Sequence, residues 1–201
     1  MVSAYGVASE VISIDKKSIR KKYIDIRNSC PKSELLVFSE SISEKLNQLE
    51  FVVNAKNIMC FVSFGSEVET HSLIKNWLKV GKNVAVPAIG NDRGVMHAVR
   101  ISGFNELKAC GKYGILEPTV LEDNIMSPGD FDVIIVPGSV FDIRKNRMGY
   151  GAGFYDRFLS HTGPLCRKIG ICFDFQVADE IPHEEHDVPL DLLITEKRII
   201  Y

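Results

Sequence analysis

Apolar residues recur at helical spacing near the start of the chain and gather into short unbroken runs further on. Ile19, Tyr23 and Ile26 share one helical face, with Asp15 placed to cap the start and Pro31 to end it. Leu35, Phe38, Ile42, Leu46 and Leu49 mark a second helix from Ser33, striped for packing on something larger. The pattern then changes. Residues 58–62 form a continuous apolar run, too short for a core helix and suited to a strand covered on both faces. A helix carrying Leu73, Ile74, Trp77 and Leu78 follows from a Thr70 cap and stops at Gly81, and 84–86 is the next strand, halted by Pro87. Strand, helix and strand within about 30 residues predict a βαβ unit, hence parallel pairing with a right-handed crossover. Further strands are expected at 96–101, 133–136, 169–173 and 192–194. The expected fold is an α/β three-layer sandwich with a mainly parallel, Rossmann-like central sheet, a single domain over 15–201 behind a loose leader at 1–14. In such sheets ligands bind beyond the carboxyl ends of the strands, so the segments after Val62, Val136 and Phe173 are the places for a site.

Composition narrows the function classes. At 201 residues with 45% hydrophobic and 25% charged side chains, the chain is an ordinary globular one. No apolar run approaches the roughly 20 residues of a bilayer span, so no membrane partner is expected. Twenty-four basic against 26 acidic residues leave a net charge of −2, which attracts neither nucleic acid nor anionic lipid. The five cysteines lack the spacing of a zinc knuckle or redox pair, and Cys60 and Cys172 lie in apolar runs. Reduced, buried thiols and a cytoplasmic location are expected.

Four stretches carry candidate chemistry. From Arg147 to Arg157, glycines at 149, 151 and 153 let the backbone turn sharply and point successive amides into one concavity suited to phosphate. A helix beginning after them would turn its positive end to the same anion, and Arg147, expected to be exposed, adds a permanently charged phosphate donor. A structural tight turn is the competing reading. Lys16 and Arg20 lie four apart on a basic helix and could serve one anion, or simply be solvated. An acidic stretch from Asp174 to Glu196 contains no Lys or Arg; its His183 and His186 are three apart between prolines, which argues against zinc. Asp156 and Asp187 suit Mg²⁺ with substrate phosphates, against a solvated acidic loop. Glu67, after a central strand, can accept hydrogen bonds from a polar heterocycle, while it or Glu69 can equally serve the helix that follows.

These stretches, with 137–142, Gly114 to Pro118, and Gln176 through Pro182 to Asp187 and Asp191, occur in the order found in 5-formyltetrahydrofolate cyclo-ligases, and the chain resembles that family from about Lys16 to Thr195. The resemblance implies ATP- and Mg²⁺-dependent conversion of 5-formyltetrahydrofolate, polyglutamylated or not, to 5,10-methenyltetrahydrofolate with release of ADP and phosphate, by a monomer. It implies ATP contacts from Lys16, Lys17, Ser18, Ile19 and Arg20, and from Arg147, Met148, Gly149, Tyr150, Gly151, Ala152, Gly153, Phe154 and Tyr155. Val62, Glu67, Tyr150, Gly151, Ala152, Gly153 and Phe154 would line the folate pocket, Asp156 and Asp187 would hold the metal, and Arg147 would be catalytic. Phe154 departs from the tyrosine many relatives carry there. Another small ATP-dependent ligase or kinase would share the loop without the folate pocket, and a non-catalytic sensor of a phosphorylated metabolite would bind without turnover.

Overall fold

The computed structural model describes residues 15–89, 95–110 and 115–201; the expected leader at 1–14 and Gly114 lie outside them. Helix α1 (Lys16–Ser29) starts where Asp15 accepts the Lys17 amide at 3.0 Å, and it packs Ile19 and Tyr23 against Val140, Met148 and Ile181. Helix α2 (Lys32–Gln48) begins one residue before Ser33, with Pro31 at the cap. Leu49 then breaks the chain into an extended residue before α3 (Glu50–Asn54), a short helix with no stripe of its own.

The remaining elements are β1 (Asn57–Cys60), α4 (His71–Lys79), β2 (Asn83–Ile89), β3 (Met96–Ile101), β4 (Lys108–Cys110), β5 (Ile115–Glu117), β6 (Ile125–Met126), β7 (Val133–Val136), β8 (Val140–Asp142), β9 (Arg147–Met148), α5 (Phe154–Leu159), β10 (Arg167–Ile171), β11 (Val177–Ala178), β12 (Leu192–Ile194) and β13 (Ile199–Ile200). Eight strands form one sheet in the order β13-β12-β10-β7-β1-β2-β3-β6. Its centre, β12 to β2, is parallel throughout, and β13, β3 and β6 close the edges antiparallel. The fold is therefore α/β with a mostly parallel sheet.

Side-chain alternation along these strands divides the core into two faces. Ile58, Cys60, Val133, Ile135, Ile169 and Ile171 meet the stripes of α2 and α4 on one face. Met59, Ile134, Val136 and Leu193 meet Phe141 and the Phe158 and Leu159 of α5 on the other. With both faces covered, each central strand reads as an apolar run. Among the described residues no helix is long and apolar enough to cross a membrane.

Three local expectations change. Pro87 does not halt β2, which runs to Ile89 with Pro87 opposite Ala98. Pairing with β1 ends at Ala85, so beyond it β2 has a sheet neighbour on one side only and tolerates a residue without an N–H. Thr70 stands at the start of α4, but its hydroxyl donates inward to the Phe61 carbonyl at 2.8 Å. Glu69 caps α4 instead, accepting the His71 amide at 2.7 Å and the Ser72 amide at 3.2 Å. Residues after Phe173 turn into the core rather than toward a site: buried Gln176 accepts the Phe173 amide and donates to the Ser139 carbonyl at 3.0 Å.

A small sheet, β11-β8-β9, carries the glycine loop. The turn from β8 to β9 is held by Asp142, fully buried, which accepts the backbone amides of Arg144, Asn146 and Ile181 and the Asn146 side-chain amide. A carboxylate satisfied four ways is a stable pivot, and it fixes the point at which Arg147 and the loop emerge.

Candidate active site

A cleft of about 480 Å³ opens at the carboxyl ends of β1, β2 and β7. Phe61, Val62 and Glu67 follow β1, Pro87 and Ile89 come from β2, and Pro137 follows β7. The glycine loop and Asp156 form one wall, with Lys16 and Arg20 of α1 and the acidic segment 184–187 at its edge. Of the three segments expected to border a site, those after Val62 and Val136 do so.

The loop's shape comes from Gly151 at φ 101° and Gly153 at φ 65°, a half of backbone space that side chains other than glycine's seldom enter. Arg20 Nε donates to the Gly149 carbonyl at 2.8 Å, and an Arg157 guanidinium nitrogen donates to the Ala152 carbonyl at 2.9 Å. Phe154 packs beside the loop with the Arg157 guanidinium 5.4 Å from its ring centre. Lys17 and Ser18 are exposed on the far side of α1, where Ser18 donates to Asp15, and Ile19 packs inward; none of the three lines the cleft.

Arg147 is not exposed. Its side chain retains 4% of its accessible surface and pairs with Asp156 at 2.7 Å, because β9 carries it beneath the loop. Among the described residues its Nε has no hydrogen-bond partner, nor does the Tyr155 hydroxyl over whose ring the guanidinium lies at 5.5 Å. Two buried polar atoms left unsatisfied at a cleft wall suit a bound polar group. Burial pushes the Tyr155 phenol far above its ordinary value, so it stays a neutral donor.

The acidic segment is locally neutralised. Lys16 Nζ meets Glu184 at 2.6 Å and Asp187 at 3.7 Å, and this partner holds the Glu184 carboxyl below its usual range. Asp187 also accepts the Glu184 amide at 2.8 Å, and the next amide, Val188 N, donates to Asp156 at 3.3 Å, so the backbone just after Asp187 passes the Asp156 carboxylate.

On the other side, Glu67 accepts the Tyr150 hydroxyl at 2.6 Å and the Phe64 amide at 3.2 Å. Burial raises its pKa, opposed by Tyr150 and Arg27. Arg27, almost fully buried on α1, donates to the same hydroxyl at 3.2 Å and to Ser66 Oγ at 3.0 Å. Sequence reading passed over Arg27; its signal was the spacing of seven from Arg20, which puts both on one face of α1. It also gave Ile115, Leu116 and Glu117 no role, although β5 brings all three to the cleft.

The model of the 5-formyltetrahydrofolate cyclo-ligase family matches residues 12–196. The chain belongs to that family. It is 30% identical to the 5-formyltetrahydrofolate cyclo-ligase of Saccharomyces cerevisiae, covering 89% of this chain and 94% of that one, and 33% identical to a probable one of Schizosaccharomyces pombe, covering 81% and 85%. The solution structure of Aquifex aeolicus 5,10-methenyltetrahydrofolate synthetase superposes with a TM-score of 0.79 at 30% identity, over 92% of this chain and 91% of that one. A Mycoplasma pneumoniae 5,10-methenyltetrahydrofolate synthetase shares the fold, with a TM-score of 0.74 at 23% identity over 91% and 99%.

For this cyclo-ligase family member the metal question turns on the donor set. Among the described residues no group of three His, Cys, Asp or Glu side chains could hold an ion. Asp156 and Asp187 offer two carboxylates on the same cleft, one already shared with Arg147 and one with Lys16. That set fits Mg²⁺, which takes one or two carboxylates and completes its shell with phosphates and water, and does not fit a metal caged by protein alone.

Proposed function

We propose that this chain cyclises 5-formyltetrahydrofolate to 5,10-methenyltetrahydrofolate at the expense of ATP, releasing ADP and phosphate, with both substrates in the one cleft. The observation that carries this reading is the cleft's division. In one group of lining residues the cations Lys16, Arg20 and Arg147 stand by the glycine loop with the carboxylates of Asp156, Glu184 and Asp187 among them, while in the other Phe64 and Tyr150 pack together beside Glu67. A polyphosphate suits the first and a flat heterocycle with N–H donors the second.

The chemistry asks for positioning rather than a protein nucleophile. The formyl oxygen attacks the γ-phosphorus of ATP and ADP leaves; nitrogen 10 of the folate then attacks the activated formyl carbon and gives up its proton, and the carbon–oxygen bond breaks as phosphate departs. Charge builds on the phosphoryl oxygens, where preorganised donors contribute most. Arg147 supports this role from below the loop, with Nε uncommitted and its other end held by Asp156. Lys16 and Arg20 would steady the polyphosphate, and Glu67 would accept hydrogen bonds from the heterocycle. Asp156 and Asp187 would hold Mg²⁺, which when bound neutralises phosphate charge. A further reading of the fold, a single three-layer domain acting as a cytoplasmic monomer, is supported by the two covered sheet faces, the site built within one chain and the free thiols Cys30, Cys60, Cys166 and Cys172.

Methenyltetrahydrofolate formation, followed by its absorbance beside ADP release, tests the function. Product and ADP should appear together and only when both substrates are present. ADP release without 5-formyltetrahydrofolate, or binding of both without product, would overturn it in favour of a kinase or a sensor.

A further inference from the structure

Helix α1 reaches the cleft twice. Arg20, which the proposed function assigns to the nucleotide, donates to the Gly149 carbonyl. Two turns on, about 10 Å along the axis, Arg27 donates to the hydroxyl of the very next residue, Tyr150. Tyr150 passes the interaction on to Glu67, and Arg27 Nε holds Ser66 Oγ, which donates in turn to Asn28 at 2.6 Å. Three segments distant in sequence thus meet at one planar guanidinium: α1, the loop after β1 and the glycine loop. Arg27 keeps only 5% of its surface, whereas Tyr150 keeps 50%, so the rigid member of the chain is the arginine. A lysine could not serve Ser66 and Tyr150 at once in this fork geometry.

We infer that Arg27 is a positioning residue for folate recognition: through the Tyr150 hydroxyl and Ser66 it fixes the glycine loop against Glu67 and orients that carboxylate for the heterocycle. Arg27 is absent from the cleft lining, so it acts through these partners rather than on substrate. The inference rests on the proposed folate reading. It separates the two clamps by effect, since Arg20 faces the nucleotide and Arg27 the folate.

Electrostatics supply a second readout. The groups acting on the Glu67 carboxyl are Arg27 from α1, Tyr150 from the glycine loop, Tyr155 from α5 and the Phe64 amide, and Arg27 lowers its pKa. Loss of that cation should move Glu67 further upward and take the acid limb of kcat/KM for folate to higher pH.

The test is steady-state kinetics of methenyltetrahydrofolate formation by wild type, Arg27→Met, Arg27→Lys, Tyr150→Phe and the double variant Arg27→Lys/Tyr150→Phe. Arg27→Met should raise KM for 5-formyltetrahydrofolate about tenfold, the worth of one hydrogen bond to a charged group, with KM for ATP within about twofold of wild type. Its acid limb should shift upward, and that of Arg27→Lys should not. In the double variant the effects should be far from additive, because both changes break one relay. The double-variant cycle uses Arg27→Lys and so decides the matter even if Arg27→Met fails to fold. Additive effects, equal rises in both KM values, or a fall in thermal midpoint with kinetics and pH profile unmoved would overturn the positioning role and reduce Arg27 to a stabilising contact. Absence of product from wild type would instead overturn the folate reading, and this inference with it.

Discussion

Arg147 shows how burial changes what a substitution measures. Were it an exposed phosphate ligand, Arg147→Ala would remove turnover and leave stability intact. Paired with Asp156 at 2.7 Å beneath the loop, it cannot be removed without stranding a largely buried carboxylate. Breaking one partner of such a pair costs about 3 kcal/mol or more, whereas replacing both with apolar groups of similar volume is often close to neutral. Arg147→Ala should therefore lower the urea midpoint markedly, and Arg147→Met/Asp156→Leu should recover most of it while remaining inactive. Equal stability of Arg147→Ala and wild type would show that the pair contributes nothing to the fold. Glu67 runs the other way. Burial raises its pKa above the ordinary 4.5, so folding favours the protonated form; that contribution is full below the ordinary value and lost as pH rises through the folded one. Glu67→Gln, neutral throughout, should match wild type in thermal midpoint near about pH 4 and exceed it near about pH 8, at the cost of folate KM. Midpoints that stay parallel across that range would contradict the raised value.

The elements legible in the chain were those whose environment writes itself into a run of side chains. Central strands such as β7, all four residues buried between two layers, read as continuous apolar segments, and the stripes of α2 and α4 read as helices because one face packs. Short strands did not: β8, β9 and β11 have two or three residues each, too few for any period, and exist because buried Asp142 and Gln176 tie their connections together across the fold. Pro87 and Thr70 misled for a related reason, since local rules predict a stop and a cap, while the observed outcome depends on where β1 ends and on the Phe61 carbonyl. The glycine loop was legible because its backbone needs what only glycine provides. Gly151→Ala at φ 101° meets no steric block, its Cβ lying at ordinary contact from the Arg20 guanidinium, so the penalty is backbone strain of about 1–3 kcal/mol. A surface loop can relieve such strain by moving, so KM for ATP should rise severalfold with little loss of thermal midpoint. Gly129→Ala, in open space without a positive φ, should leave both unchanged. An unaltered KM for ATP in the Gly151 variant would mean the loop's observed shape is not the one nucleotide requires.

The candidate site draws on both ends of the chain, which is why its residue types could be nominated from sequence but their partnerships could not. Lys16 and Glu184 are 168 positions apart and meet at 2.6 Å, and Arg27 lies 123 from the Tyr150 hydroxyl it holds. No spacing rule reaches that far; only the sheet order brings α1, the loop after β1, the glycine loop and the acidic segment to one rim. The same arrangement makes ligand binding a restraint on the entire fold. A ligand bridging segments that separate on unfolding stabilises the folded chain by about 2.7 kcal/mol at a hundredfold excess over its dissociation constant, or about 5–10 °C for a chain of this length. ATP with Mg²⁺ should raise the thermal midpoint by that order, and ATP with a chelator by less, since Asp156 and Asp187 would then face phosphate charge without a cation between. Asp187 is the cleaner of the two to change, because Asp156 also anchors Arg147. In Asp187→Asn the dependence of the ATP-induced shift on Mg²⁺ should move to higher concentration, as a neutral amide replaces a charged oxygen donor, while the shift produced by 5-formyltetrahydrofolate alone stays as in wild type. Overlaid Mg²⁺ titrations would return the 184–187 segment to a solvated loop neutralised by Lys16, and loss of the folate shift as well would show that Asp187 holds the cleft's shape rather than a metal.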